Sequence, residues 1–172
     1  MPSEPADTDV RGIDAAPVSD CLAAHVDGAT PPFAFRMITG GHSNLTYAVT
    51  DARGERYVLR RPPLGAVLAT AHDMGREHQI LAAVAHTAVP VPQALALCTD
   101  EAVNGAPFYV MNFVDGHVLE EPADVASILS EPAQRVALSE AVVDALAALH
   151  TADVDAIGLG DLARREAYLD RQ

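Results

Sequence analysis

The 172-residue sequence contains no lysine and no tryptophan, and all 11 of its basic residues are arginine. Chemistry that needs a lysine amine, such as a Schiff base or the lysine of a P-loop, is therefore excluded. Cysteine is nearly absent. Cys21 and Cys98 stand far apart, with neither the paired spacing of a zinc site nor the density of a disulfide framework, which fits a reducing cytoplasm. Against the 11 arginines stand 24 acidic residues, a formal net charge of -13. A field of that sign repels phosphate backbones and anionic headgroups, so neither nucleic acid nor a membrane surface is expected as a partner. No apolar run reaches membrane-spanning length, and the acidic, proline-bearing stretch Met1 to Val10 has no basic segment followed by an apolar one. Neither an anchor nor a targeting leader is expected.

What is present is a globular composition, 49% hydrophobic and 20% charged, in a length that suits one domain or a domain with part of another. Residues 1 to about 14 read as a mobile lead-in. A short helix follows, with Pro17 in its first turn and Leu22, Ala23 and Val26 on one side, ending near Gly28. Phe33–Thr39, Leu45–Thr50 and Arg56–Arg61 read as three antiparallel strands separated by the turn signals Gly40-Gly41 and Asp51 to Gly54. The period then changes: Met74, Glu77, His78, Leu81 and Val84/Ala85 recur at helical spacing. Pro90 and Pro92 stop that helix, and Ala94–Thr99 and Phe108–Val114 read as two further strands joined by a turn at Asn104-Gly105. A composition boundary falls near residue 116. Beyond it come an acidic loop, Glu120 to Asp124, and an alanine-rich helix from about Pro132 to His150, striped by Leu138, Val142, Leu146 and Leu149. A Gly/Asp loop runs to Gly160, and Leu162 to Gln172 reads as the start of another helix.

An antiparallel sheet of five strands with one helix inserted after the third, leading into a helical region, is the α+β arrangement of a protein-kinase small lobe and the first helices of the large lobe. On that reading the first hairpin turn, Gly40-Gly41-His42-Ser43-Asn44, could cover phosphates with backbone amides, although a Gly-Gly pair also makes an ordinary hairpin. On the third strand Val58 and Arg60 share one face, offering an apolar roof and a cation, while a strand-end arginine can equally be a solvated one. Glu77, on the next helix, is either a surface glutamate or the carboxylate that orients that cation toward a nucleotide's phosphates.

Five ordered blocks carry a resemblance. They are Ile38 to Tyr47, Tyr57 to Pro63, Arg76-Glu77 with Ile80-Leu81, Val89 to Pro92, and Pro107 to Gly116. Over about residues 33 to 171 the chain resembles the aminoglycoside phosphotransferase/choline kinase superfamily, and within it the branch whose kinase-like domain occurs alone or fused to acyl-CoA dehydrogenases. The resemblance implies ATP and Mg2+ as cofactors and a small-molecule hydroxyl as acceptor. It implies that Arg60 contacts phosphates, that Glu77 pairs with it, that Met111 lies at the back of the adenine pocket, and that the carbonyl of Asn112 and the amide of Val114 bond adenine. Asn112 is a departure, since this branch often has an acidic residue there.

Kinase-like catalysis also needs a His-x-Asp-x-x-x-x-Asn segment and a later metal-binding Asp. His25-Val-Asp27 has Pro32 where Asn is required, and His72-Asp73 lacks the spacing. No residue here is assigned as catalytic or as a metal ligand, and the metal ligands are expected beyond residue 172. His86, His117 and His150 suit helix or strand ends, and Asp153, Asp155 and Asp161 do not have EF-hand spacing. Two functions remain open at this point: the amino-terminal part of an ATP-dependent phosphotransferase, and a catalytically inactive nucleotide-binding or interaction module.

Overall fold

Period-two alternation of apolar residues makes strands with two unlike faces, and the computed structural model shows where each face goes. It describes residues 10–38, 44–65 and 72–162. The elements run α1 (Ala15–His25), β1 (Ala34–Met37), β2 (Leu45–Thr50), β3 (Arg56–Arg61), α2 (Met74–Val84), β4 (Ala94–Cys98), α3 (Glu101–Asn104), β5 (Phe108–Asn112), α4 (Pro122–Ile128) and α5 (Pro132–Thr151). Two compact units result, residues 1–82 with 92–113 and residues 83–91 with 114–172.

In the first unit all five strands pair antiparallel in the order β1-β2-β3-β5-β4, so the expected α+β fold with a five-stranded antiparallel sheet is the one observed. One face of the sheet carries Phe35, Tyr47, Val49, Tyr57, Leu59, Phe108 and Val110, which are buried in one cluster with Val18, Leu22 and Val26 at α1. Burial of such a cluster supplies most of the driving force for the unit. The β2–β3 turn closes on Asp51, whose carboxylate accepts the N–H groups of Thr30 (3.1 Å), Arg53 (2.8 Å) and Glu55 (2.9 Å). Burial alone would push this carboxyl up, but the three backbone donors outweigh it and hold it below its ordinary value.

Several expectations need correction. Val10 to Asp14 is tied down rather than mobile: Val10 and Ile13 pack on the core, Tyr47 donates its hydroxyl to the Arg11 carbonyl (2.8 Å), and Arg61 donates to the Gly12 carbonyl (2.6 Å). On α1 the core positions are Val18 and Leu22, whereas Ala23 is exposed, because the buried stripe lies one residue to the other side. The β4–β5 connection is a helical turn, α3, capped by the Asp100 side chain and ended by Gly105 in the left-handed region (φ 70°). The acidic stretch read as a loop enters α4, since Asp124 accepts the Glu120 and Glu121 N–H groups (3.0 and 2.8 Å) and Pro122 suits a first turn. β2 and β3 span the expected residues, β1, β4 and β5 end a residue or two earlier than their sequence runs, and the helix expected from Leu162 falls almost wholly outside the described residues.

In the second unit α5 spans the expected residues, yet none of its residues is buried. On the expected stripe Leu138 is half-buried, while Val142, Leu146 and Leu149 are exposed, Val142 at 60%. Among the described residues no helix is long and apolar enough to cross a membrane.

Because Leu22 joins α1 to the sheet core and Ala23 does not, Leu22→Ala should lower unfolding stability by about 2–4 kcal/mol, and Ala23→Ser by less than about 0.5 kcal/mol. Urea denaturation of both variants measures the contrast. Equal losses would detach α1 from the core.

Candidate functional site

The other face of the sheet is read from its register. Thr46 pairs with Arg60 and Arg60 with Tyr109, giving one cross-strand row; Ala48, Val58 and Met111 make the next. The second row is apolar, with Ala48 and Val58 buried. The first row is polar and meets α2. That helix begins where Asp73 accepts the Arg76 N–H (2.9 Å), which brings Glu77 into its first turn.

The Glu77 carboxylate collects three donors. Its Oε2 accepts from Arg60 Nε (2.9 Å) and from the Tyr109 hydroxyl (3.2 Å), and its Oε1 accepts from Asn44 Nδ2 (2.8 Å). Arg60 spends a further N–H on Thr46 Oγ1 (3.2 Å). Since the Asn44 amide nitrogen is engaged by Glu77, its oxygen is left to accept from His72 Nδ1 (2.6 Å), which requires the proton on that ring nitrogen. The ion pair is about one-third exposed, 30% for Arg60 and 34% for Glu77. At that exposure it adds little stability, but both oxygens of the carboxylate and two nitrogens of the guanidinium are held in place. What the arrangement can do chemically is present an oriented cation beside an apolar surface.

Burial pushes the Tyr109 phenol up to about 12, and the adjacent Glu77 carboxylate adds to the shift while Arg60 opposes it. His78 meets the Tyr109 ring edge-on (centroids 6.2 Å apart), and burial lowers its pKa.

Of the residues singled out in the sequence, Asn44, Val58, Arg60, Glu77 and Met111 lie in this unit, and hydrogen bonds or strand register connect them. Asn44 takes part through its side chain and not only through a turn backbone. Asn112 ends β5, with its amide oxygen accepting the Gln93 N–H (2.5 Å) and its own N–H donating to the Gln93 carbonyl (3.1 Å), so its side chain anchors the start of β4. Val114 belongs to the second unit and is exposed. Gly40, Gly41, His42 and Ser43 lie outside the described residues. Thr46, Tyr109 and His72 were not anticipated. Alternation along β2 and β5 would have put Thr46 and Tyr109 on the Arg60 face had the adjacency of β3 and β5 been known; His72 drew notice only as a near-match to a His-x-Asp segment, and nothing in the sequence pointed to its bond with Asn44. Among the described residues no group of three or more His, Cys, Asp or Glu side chains is placed to hold a metal ion.

Comparison with known proteins adds a family. Residues 34–172 match the model of the phosphotransferase enzyme family. The chain is 44% identical over 151 residues to the Arabidopsis thaliana protein named probable acyl-CoA dehydrogenase IBR3, a match covering 83% of this chain and 18% of that protein. It is 33% identical over 158 residues to acyl-CoA dehydrogenase family member 10 of Mus musculus, covering 89% of this chain and 14% of that one. A crystal structure from Ralstonia eutropha, provisionally named an aminoglycoside phosphotransferase, aligns with a TM-score of 0.74 at 35% identity, over 92% of this chain and 44% of its own. The chain thus spans less than a fifth of these two relatives and less than half of that solved chain.

Removing the Glu77 charge in Glu77→Gln should move the Tyr109 phenol down toward its ordinary value, which an ultraviolet titration assigned with Tyr109→Phe would detect. Burial is the largest influence on the phenols of Tyr47, Tyr57 and Tyr109 and raises all three in the fold. The folded chain therefore holds these protons more tightly than the unfolded one. Their contribution to stability is complete below the unfolded value of about 10. For Tyr109 it is lost as pH rises through about 12. Urea midpoints should fall across that window, and less so in Tyr109→Phe.

Proposed function

The chain belongs to the phosphotransferase enzyme family, with its kinase-like α+β fold, and we propose that it forms the nucleotide-binding part of an ATP-dependent phosphotransferase acting on a hydroxyl group of a small molecule. The observation that carries this reading is the Arg60–Glu77 pair, a cation held by a carboxylate whose own position is set by Asn44 and Tyr109, next to the apolar row of Val58 and Met111. An adenine base suits the apolar row and its phosphates suit the guanidinium. ATP supplies the γ-phosphoryl group. Arg60 neutralises phosphate charge, Glu77 keeps the guanidinium plane from turning away, and the Gly40 to Asn44 turn contributes backbone donors.

The residues described do not fit a Mg2+ site, and no step is assigned through that ion. The His-x-Asp-x-x-x-x-Asn segment is absent from the 172 residues. We assign it to a continuation of the chain, in keeping with the greater length of the relatives. The exposed apolar residues Val136, Val142, Val143, Leu146 and Leu149 of α5 favour such a continuation over the reading of a self-sufficient inactive module.

Calorimetry of the 172-residue chain with ATP tests the clamp. Arg60→Ala and Glu77→Gln should weaken binding by about 10-fold or more, the loss of a charge-assisted hydrogen bond. A folded, monodisperse wild-type chain with no affinity for ATP would overturn the nucleotide reading and leave the interaction module. By sedimentation the chain should self-associate through α5, and Val142→Asp with Leu146→Glu should restore a monomer. In a protein that continues beyond residue 172, full phosphoryl turnover by Arg60→Ala would remove Arg60 from the mechanism.

A further inference from the structure

On the α1 side of the sheet, β3 ends in a second arginine whose surroundings are unlike those of Arg60. Arg61 is buried. Its Nε donates to the Pro62 carbonyl (3.3 Å), and one terminal nitrogen donates to the carbonyls of Gly12 (2.6 Å) and Asn104 (2.9 Å). The other terminal nitrogen has no hydrogen bond to a described residue, and no carboxylate among the described residues pairs with the group. A buried guanidinium answered only by carbonyl oxygens is short of negative charge.

Asn104 stands beside it, 6% exposed. Its amide oxygen accepts the Asp14 N–H (2.9 Å), which fixes the amide plane, and its buried Nδ2 has no acceptor among the described residues. An amide nitrogen in that state forfeits its hydration without compensation. The same Asp14 opens the 11-residue helix α1 without capping it by its side chain, and Pro17 lacks an N–H, so the first-turn N–H groups of Ala15 and Ala16 have no side-chain acceptor among the described residues. Gly12, Asp14, Ala15, Ala16, Arg61 and Asn104 line one surface depression.

Among the described residues, a cation without a counter-charge, an unsatisfied buried amide donor and an uncapped helix amino end thus meet at one place. We propose that Arg61, Asn104 and the amino end of α1 form a binding site for a phosphate-class oxyanion, separate from the Arg60–Glu77 face. Such a ligand supplies acceptors for all three kinds of donor, and the guanidinium fork and helix terminus both suit it. The Asp14 carboxylate, exposed at the rim, opposes it.

Inorganic phosphate is the probe, compared with chloride at equal ionic strength, with acetate, and with phenyl phosphate. Phosphate should raise the melting temperature by a few degrees at saturation and shift the amide resonances of Ala15 and Ala16. Asn104→Asp keeps the acceptor for the Asp14 N–H while giving Arg61 a counter-charge, and should abolish the response. Asp14→Asn should tighten binding several-fold, an effect that no purely structural role of Arg61 and Asn104 would produce. Arg60→Gln should leave the response intact, which separates this site from the proposed nucleotide site. An equal response to phenyl phosphate would assign the site to a phosphoryl group on a larger molecule, and its loss would assign it to free phosphate. The proposal is overturned by a shift no larger than that from chloride or acetate, by perturbations at Thr46 and Glu77 in place of Ala15 and Ala16, or by an undiminished response in Asn104→Asp.

Discussion

The Glu77 carboxylate is the constraint on which the polar face of the sheet depends. Three donors from three separate parts of the chain end on its two oxygens: Asn44 before β2, Arg60 on β3 and Tyr109 on β5. A carboxylate so engaged has little freedom to turn, and the arginine bonded to it inherits that restriction. The partial exposure of the pair follows from the same geometry. Complete burial would require its charge to be matched internally, at a large desolvation cost, whereas an open pair keeps guanidinium N–H groups within reach of an anion arriving from solvent.

Arg60 and Arg61 are neighbours in sequence and opposites in environment, because a strand sends successive side chains to opposite faces. Arg60 meets a carboxylate and a threonine hydroxyl, while Arg61 is buried among carbonyl oxygens contributed by the segment before α1 and by the end of α3. Burial lowers the Arg61 pKa, and the Tyr47 phenol nearby opposes that shift. One arginine therefore faces outward as a candidate ligand for phosphates, and the other stitches the amino-terminal segment to the sheet. Through that stitching the stretch Val10 to Asp14 becomes part of the fold, and Tyr47 and Asn104 become sites of polar bonding inside an apolar layer.

The sheet was legible in the sequence since each strand carried its own signal. β-branched and aromatic runs bounded by Gly, Pro, Asn and Asp located all five, and the change of period at Met74 located α2. Errors fell where short-range signals compete. The acidic stretch before Pro122 has loop composition, yet Asp124 caps a helix with it; Asn104-Gly105 has turn composition, yet it closes a helical turn. Leu22 and Ala23 are neighbours on α1, about 100° apart around the helix axis, and only the packing of α1 on the sheet decides which of them is buried.

For the site, the sequence by itself determined the types of residue available and their order. Arginine is its only side-chain cation besides histidine, Glu77 follows Arg60 on a helix, and Val58 shares a strand face with Arg60. These are properties of composition and local period, which need no distant contact. Tertiary structure alone decided that β5 lies against β3, and with it that Tyr109 reaches Glu77 and that Met111 stands beside Val58. It alone brought Asn44 to α2 and Asn104 to the entrance of α1, across 33 and 90 residues. Strand order and the meeting of remote segments depend on how the whole chain buries its apolar faces, and no local period encodes that choice.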